Sequence, residues 1–232
     1  MVIPELDQIY FVDIETVPQQ YNFEGLEEAE KELFAGKFKY QLEQNPDLSA
    51  TDLYQQRGGI LAEFNKIVCI SVSILFYEQG ELKHKVKSFY GDDEKQLLQE
   101  FCNLLESNYQ YKYLCAHNGK EFDFPVIGRR LLINRLPIPK ILDVRGKKPW
   151  ETSFIDTMEL WKFGDYKHFT SLKLLAHVFG IPSPKDDIDG SDVARVYYEE
   201  NDLERIRIYC EKDTLTLAKV FLKMTINQDL DA

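Results

Sequence analysis

The chain has 232 residues, 44% of them hydrophobic and 29% charged, enough for one sizeable globular domain or two small ones. No apolar run nears the roughly 18 residues that span a bilayer, and the start, Met1 to Asp7, has neither the basic segment nor the apolar core of a signal peptide, so a cytoplasmic protein with no membrane span is expected. The net charge of −11 argues against a polyanionic partner; Arg129 to Lys185 carries 11 Lys and Arg against 5 Asp and Glu, which on charge alone reads first as a solvated face and second as a stretch able to meet a phosphate backbone.

The first apolar run, Gln8 to Ile14, reads as a strand, and Pro18 ends the segment. Glu24 to Gly58 is polar and acidic with scattered Leu, Phe and Tyr, which predicts two or more short helices inserted as a flap at about 19–62. Ile67 to Phe76 is β-branched and bounded by polar residues, a strong strand. Glu78 to Glu81 makes a hairpin turn, and Leu82 to Tyr90 returns as a third strand. Asp92 or Asp93 can cap a helix that carries Leu97, Leu98, Phe101, Leu104 and Leu105 on one stripe. Tyr111 to Ala116 is a short strand, and Asp123 to Asn134 a helix ended by Pro137 and Pro139. Phe154 to Thr157 reads as another strand. Ser171 to Phe179 is a helix stopped by Gly180-Ile181-Pro182, and Ser191 to Glu200 and Leu203 to about Met224 close the chain as helices. An antiparallel meander followed by alternating helix and strand predicts an α/β fold, a mixed sheet flanked by helices. No break in composition marks a second domain, so residues 1–232 are expected to form one.

The four cysteines form no Cys-x-x-Cys pair and read as reduced, buried thiols. His117, His168 and His177 lack zinc spacing. Chemistry is concentrated in the acids. Asp13 and Glu15 leave the first strand on the same side, because alternate strand residues share a face. Like charges so placed repel unless a cation lies between them, and a hard divalent ion takes oxygen ligands. Asp123 follows a strand and the turn dipeptide Asn118-Gly119, where it is either a metal ligand or a helix N-cap. Tyr209 and Asp213 sit four apart in the last helix and project together beside Ile206 and Leu217, where an acid is costly unless paired or bound to metal.

The ordered set of a strand-borne Asp-x-Glu, a strand-turn-helix with Asn-x-x-x-Phe-Asp and a helical Tyr-x-x-x-Asp resembles the DEDD superfamily of 3′-5′ exonucleases. Tyr209 four residues before Asp213 matches its tyrosine subclass. The histidine subclass would place His where Ile208 stands. Gly59 to Ser71, Phe154 to Thr157, Ser171 to Leu175 and Pro184 to Ser191 are similar to the proofreading exonuclease of family B DNA polymerases, and the nearest likeness is to stand-alone bacterial proteins of that kind. The resemblance covers about residues 8 to 224 and implies a ribonuclease H-like fold.

It also implies a site. Asp13, Glu15, Asp123 and Asp213 would hold two Mg2+ or Mn2+ ions, Asp13 bridging them, and Tyr209 would orient the attacking water rather than take its proton, since a tyrosine of pKa near 10 is a poor base at neutral pH. Thr16 and Asn118 would contact the terminal nucleotide, Phe122 would wall the base site and Lys185 would meet a phosphate. Asp156 reads as a structural acid. The implied reaction is hydrolysis of single-stranded DNA from its 3′ end, releasing 5′-monophosphates. RNA is the rival substrate, and a non-catalytic module gripping nucleic-acid ends is the rival class. A glycosidase is disfavoured, because carboxylates on one strand face are too close to flank a sugar. Candidate partners are DNA or RNA 3′ ends and a replication or repair protein docked on the flap. Oligomeric state is open.

Overall fold

The computed structural model describes residues 4–108, 110–165, 169–182, 188–226 and 228–230. Strand β1 (Ile9–Pro18) leads into three short helices, α1 (Glu28–Lys37), α2 (Lys39–Gln44) and α3 (Ala50–Arg57). Then come β2 (Asn65–Glu78), β3 (Glu81–Tyr90), α4 (Glu94–Ser107), β4 (Tyr113–Ala116), α5 (Asp123–Ile133), β5 (Phe154–Asp156) and α6 (Thr157–Lys162). Helices α7 (Leu172–Val178), α8 (Val193–Arg195) and α9 (Leu203–Thr225) complete the chain. No helix among the described residues is long and apolar enough to cross a membrane.

The sheet has the order β3-β2-β1-β4-β5. The hairpin makes β1, β2 and β3 antiparallel, and the crossovers through α4 and α5 make β4 and β5 parallel to β1. This is the mixed α/β sheet expected from the sequence. Two-residue alternation along β1 sends Tyr10, Val12 and Ile14 to one face, under Leu97, Leu98 and Phe101 of α4 and Ile127 and Leu131 of α5. Ile9 and Phe11 face the other way, onto Leu217, Ala218 and Phe221 of α9. Between Glu15 and Thr16 the pairing with β2 slips by one, from Glu15 opposite Cys69 to Thr16 opposite Ile67, leaving Val68 as an extra residue. Such a bulge bends the strand pair and re-aims its side chains.

The acidic segment folds, as expected, into helices α1 to α3 around its own cluster of Leu26, Phe34, Leu53, Tyr54 and Phe64. Ser49 caps α3 through a reciprocal bond with Asp52. The segment is tied back to β1 by Tyr54 Oη, which donates to the carbonyl of Gln20 at 2.9 Å.

Three expectations differ in detail. The strand at Phe154 stops at Asp156, because the Asp156 carboxylate accepts from the amides of Met158 and Glu159 and so caps α6. Asp123 is not an N-cap: Phe122 holds that position without a side-chain bond, and Asp123 is the first helical residue. The helix expected at Ser191 to Glu200 is α8 followed by a π-helical turn over Val196–Glu200, ended by Asn201 in the left-handed region at φ 52°. That turn directs Tyr198 Oη to the carbonyls of Pro18 and Gln19 at 2.6 and 3.0 Å. All four cysteines are buried and free.

One buried ion pair was not foreseen. Arg130 of α5 meets Glu94 of α4 with two bonds of 2.8 and 2.6 Å, and its third donor reaches the carbonyl of Ala62 at 2.9 Å. Glu94 also accepts from the amide of Ile67 at 2.7 Å and from Asn134 Nδ2 at 2.8 Å. Removing one partner strands the other charge out of water. Arg130→Met should therefore lower the unfolding free energy by about 3–5 kcal/mol, against about 1 kcal/mol for loss of the α4 cap in Asp93→Ala. Urea titration of both variants measures the difference, and equal losses would show that the pair has no special weight.

Candidate active site

Asp13 and Glu15 continue the face on which Ile9 and Phe11 pack against α9. Phe11 and Phe221 meet with ring centroids 5.4 Å apart. Farther along, the Sγ of Cys210 donates to the main-chain oxygen of Asp13 at 3.4 Å. Helix and strand thus run in opposite directions. Steps of four back along α9, from Phe221 through Leu217, arrive at Asp213 and Tyr209 where the strand arrives at Asp13 and Glu15. Apolar contacts at one end of the strand–helix pair set the height of the acids at the other.

The third acid comes from the far side of β1. The pairing of β1 with β4 covers Ile9 to Phe11. Beyond it the loop 117–122 brings Asp123 over, and the Asp123 carboxylate accepts from the amide of Ile14 and from its own. Asp156 holds that loop in place, its two oxygens taking the amides of Asn118 at 3.0 Å and Lys120 at 3.1 Å. It is the structural acid the sequence suggested. Asn118 sits in the left-handed region at φ 61°, a conformation asparagine tolerates. Gly119 has no room for a side chain: a Cβ there would stand 2.3 Å from that of Ala116.

The electrostatics follow from this convergence. Burial pushes the Asp13 carboxyl well above its ordinary range, and the charges of Asp213 and Asp123 push it further. Burial does the same to Glu15, with Asp13 and Asp213 next. Asp123 is raised to about 7, by burial and by Asp156, against the pull of the two amides it accepts from. Burial also raises the Tyr209 phenol, followed by the charges of Asp213, Glu15 and Asp13 and by its hydrogen bond to Asp213. Tyr209 is thus a protonated donor at physiological pH. Two bare charges about 4 Å apart repel by about 4 kcal/mol at an effective dielectric near 20.

The donor set fits a hard dication. One ligand atom each of Asp13, Glu15 and Cys210 lie within 4.8 Å of one another. Asp13 Oδ2 is buried and has no hydrogen-bond partner among the described residues. The thiol of Cys210 is pushed up by burial and by its contact with Cys69, so it stays protonated. What remains for a cation is oxygen, which suits magnesium or manganese better than zinc.

A groove of about 760 Å³ opens beside Glu15. Phe122 and Thr16 line it, and the inserted helices supply Tyr54 and Gln55 to the opposite wall. Thr16 Oγ1 donates to the carbonyl of Gly59 at 2.6 Å, which fixes where the inserted segment rejoins the sheet. Asn118 Oδ1 is buried without a partner among the described residues. Lys185 lies outside the described residues. Tyr21, Gln55 and Arg195 in the groove wall were missed by sequence reasoning. Nothing local marks them, because they come from three segments far apart in sequence that line one groove only in the folded chain. Cys210 was noted as one buried thiol among four, and its place against Asp13 needed the fold.

Residues 60–231 match the family described as predicted 3′-5′ exonucleases related to the exonuclease domain of PolB. Among solved structures, the family B DNA polymerase from the hyperthermophilic archaeon Pyrobaculum calidifontis is similar at a TM-score of 0.56 and 15% identity. The match covers 96% of this chain and 25% of the polymerase, so the chain spans about a quarter of that protein's length. That likeness is one of fold, and the fold is ribonuclease H-like. No curated protein sequence matches the chain.

The raised carboxyls make a prediction with a definite sign. A group whose pKa is higher in the folded state stabilises at low pH and loses that stabilisation as pH rises toward its folded value. In chelator, the thermal midpoint should fall from pH 5 to 8, the window that contains the Asp123 value of about 7. Mg2+ or Mn2+ should raise the midpoint, and more at pH 8 than at pH 5. Asp13→Asn should melt a few degrees higher than the wild type in chelator at pH 8, a chain of this size moving about 2–4 °C per kcal/mol. A variant that melts lower at pH 8 would contradict the repulsion.

Proposed function

Because the chain belongs to the family of predicted 3′-5′ exonucleases related to the exonuclease domain of PolB, we propose that it hydrolyses phosphodiester bonds of single-stranded DNA from the 3′ end and releases nucleoside 5′-monophosphates. The observation that carries the reading is the convergence of Asp13, Glu15, Asp123 and Asp213, Glu15 and Asp123 buried and the other two half-buried, with one oxygen of Asp13 that has no hydrogen-bond partner among the described residues. These four side chains would hold two divalent cations, Mg2+ or Mn2+. Bound there, such ions supply countercharge to the phosphoryl, attacking and leaving oxygens of a phosphodiester.

The remaining roles belong to the chain's own groups. Tyr209, held protonated by burial and by the neighbouring acids, gives its one O–H to Asp213, and its phenol oxygen accepts a hydrogen bond that orients the attacking water. It takes no proton, having none of the character of a base. Phe122 gives the terminal base an apolar wall, which tolerates any base. Asn118 has an amide oxygen without a partner among the described residues to offer the terminal nucleotide, and Thr16 lines the groove while bonded to Gly59. The inserted helices close one side of the groove, which favours an unpaired strand whose bases are free to leave the stack. The net charge of −11 is no obstacle, because the cations reverse the local field at the scissile phosphate.

A 5′-labelled oligonucleotide with Mg2+ should shorten stepwise from its 3′ end, while a circle of the same sequence stays intact and a matched RNA is cut more slowly. Asp13→Ala should abolish turnover with the fold retained. Tyr209→Phe should lower kcat by less than the roughly 10²–10⁴-fold that loss of a proton-transfer group costs, and leave the pH profile in place. Turnover by Asp13→Ala, or equal cleavage of the circle, would overturn the proposal.

A further inference from the structure

A second hollow, of about 530 Å³, lies against the opposite side of the loop that delivers Asp123. Lys120 and Glu121 of that loop border it, one residue from the Phe122 that faces the first groove. Its floor is apolar: Phe124 and Phe154 stack with centroids 4.2 Å apart, and Leu142 and Val144 lie beside them. Its rim is cationic. Lys120 is neutralised by Glu159 and Arg145 by Asp143, but Arg129 and Lys147 make no ion pair among the described residues. Lys147 also borders an adjoining hollow of about 540 Å³, edged by Lys112 and Lys140. Next to this line, Trp150 is 76% exposed with the Lys148 ammonium 5.3 Å from its ring centroid.

The charge is local. Arg129 to Thr152 holds seven Lys and Arg, of which Arg130 alone is buried, against two acids, in a chain whose net charge is −11. A run of surface cations, several without an ion pair among the described residues, beside an exposed indole matches a polymer of phosphates and flat bases. Resting on the nuclease reading above, we propose that this face binds the single strand upstream of the 3′ end. The strand passes over the 120–122 loop, sets a base against the exposed ring of Trp150 and lays its phosphates along Arg129, Lys147 and Lys140. The carboxylate site then needs little affinity of its own, because the track holds the strand while successive ends enter.

The test compares a 15-nucleotide strand with a dinucleotide on wild type and on the double variant Arg129→Glu/Lys147→Glu, both on the protein surface. KM for the 15-mer should rise about tenfold or more with kcat kept, and dinucleotide kcat/KM should not change. The salt dependence of log KM should flatten by about 1.4, roughly 0.7 for each lost phosphate contact. Trp150→Ala should raise the 15-mer KM several-fold. An unchanged 15-mer KM overturns the proposal, and so does equal loss on both substrates. If an acidic peptide binds wild type but not the double variant while the 15-mer KM stays put, the face belongs to a protein partner instead. A wild type that cuts neither substrate sinks the nuclease reading alone. Fluorescence anisotropy of a labelled 15-mer then decides the track, by tighter binding to wild type than to the double variant.

Discussion

Holding the buried Glu15 and Asp123 beside the half-buried Asp13 and Asp213 costs free energy, and the fold is arranged to offset it. The four acids arrive on three elements, Asp13 and Glu15 together on β1, Asp123 on α5 and Asp213 on α9, and each element is anchored by contacts outside the acidic cluster. The Phe11–Phe221 contact and its neighbours lock β1 to α9. The Glu94–Arg130 pair locks α5, which carries Asp123, to α4 and β2. Were these anchors soft, repulsion among the acids would separate the elements, and the cluster would relax into solvent.

The loop before Asp123 shows the same logic on a smaller scale. Asp156 takes main-chain amides from both sides, those of Asn118 and Lys120 in the loop and those of Met158 and Glu159 in α6. A carboxylate so fully hydrogen-bonded is tolerable when buried, and it leaves the loop no freedom to carry Asp123 away. Close approach at Gly119 removes what slack remains. The same rigid loop divides the groove beside Glu15 from the basic hollow next to it. One feature therefore positions Asp123 and shapes both surfaces. The inserted helices contribute differently. They carry a small core of their own and touch the site only as a wall.

Much of this was legible from residue patterns. Alternation along Ile9 to Glu15, the β-branched run of β2 and the spacing of Tyr209 and Asp213 are local signals with a period of two or about four, and they survive in any context that buries one face. Element boundaries were less legible. Asp156 ended a strand and started a helix by capping, and Val196–Glu200 forms a π turn whose Tyr198 bonds the carbonyls of Pro18 and Gln19. Both outcomes depend on partners far away in sequence.

From residues alone came the candidate acids, the element that carries each of them, the α/β class and the basic stretch from Arg129 onward; that the acids form one set is what the family resemblance implies. Periodicity and charge are properties of the chain itself, so these needed no coordinates. Tertiary structure decided the rest: the opposed run of α9 along β1 that brings Asp213 level with Asp13, the pinning of the Asp123 loop by Asp156, the wall of inserted helices, and the gathering of scattered cations along one line. These are distances between segments up to two hundred residues apart. They are set by which apolar faces pack together, a choice that no local pattern contains.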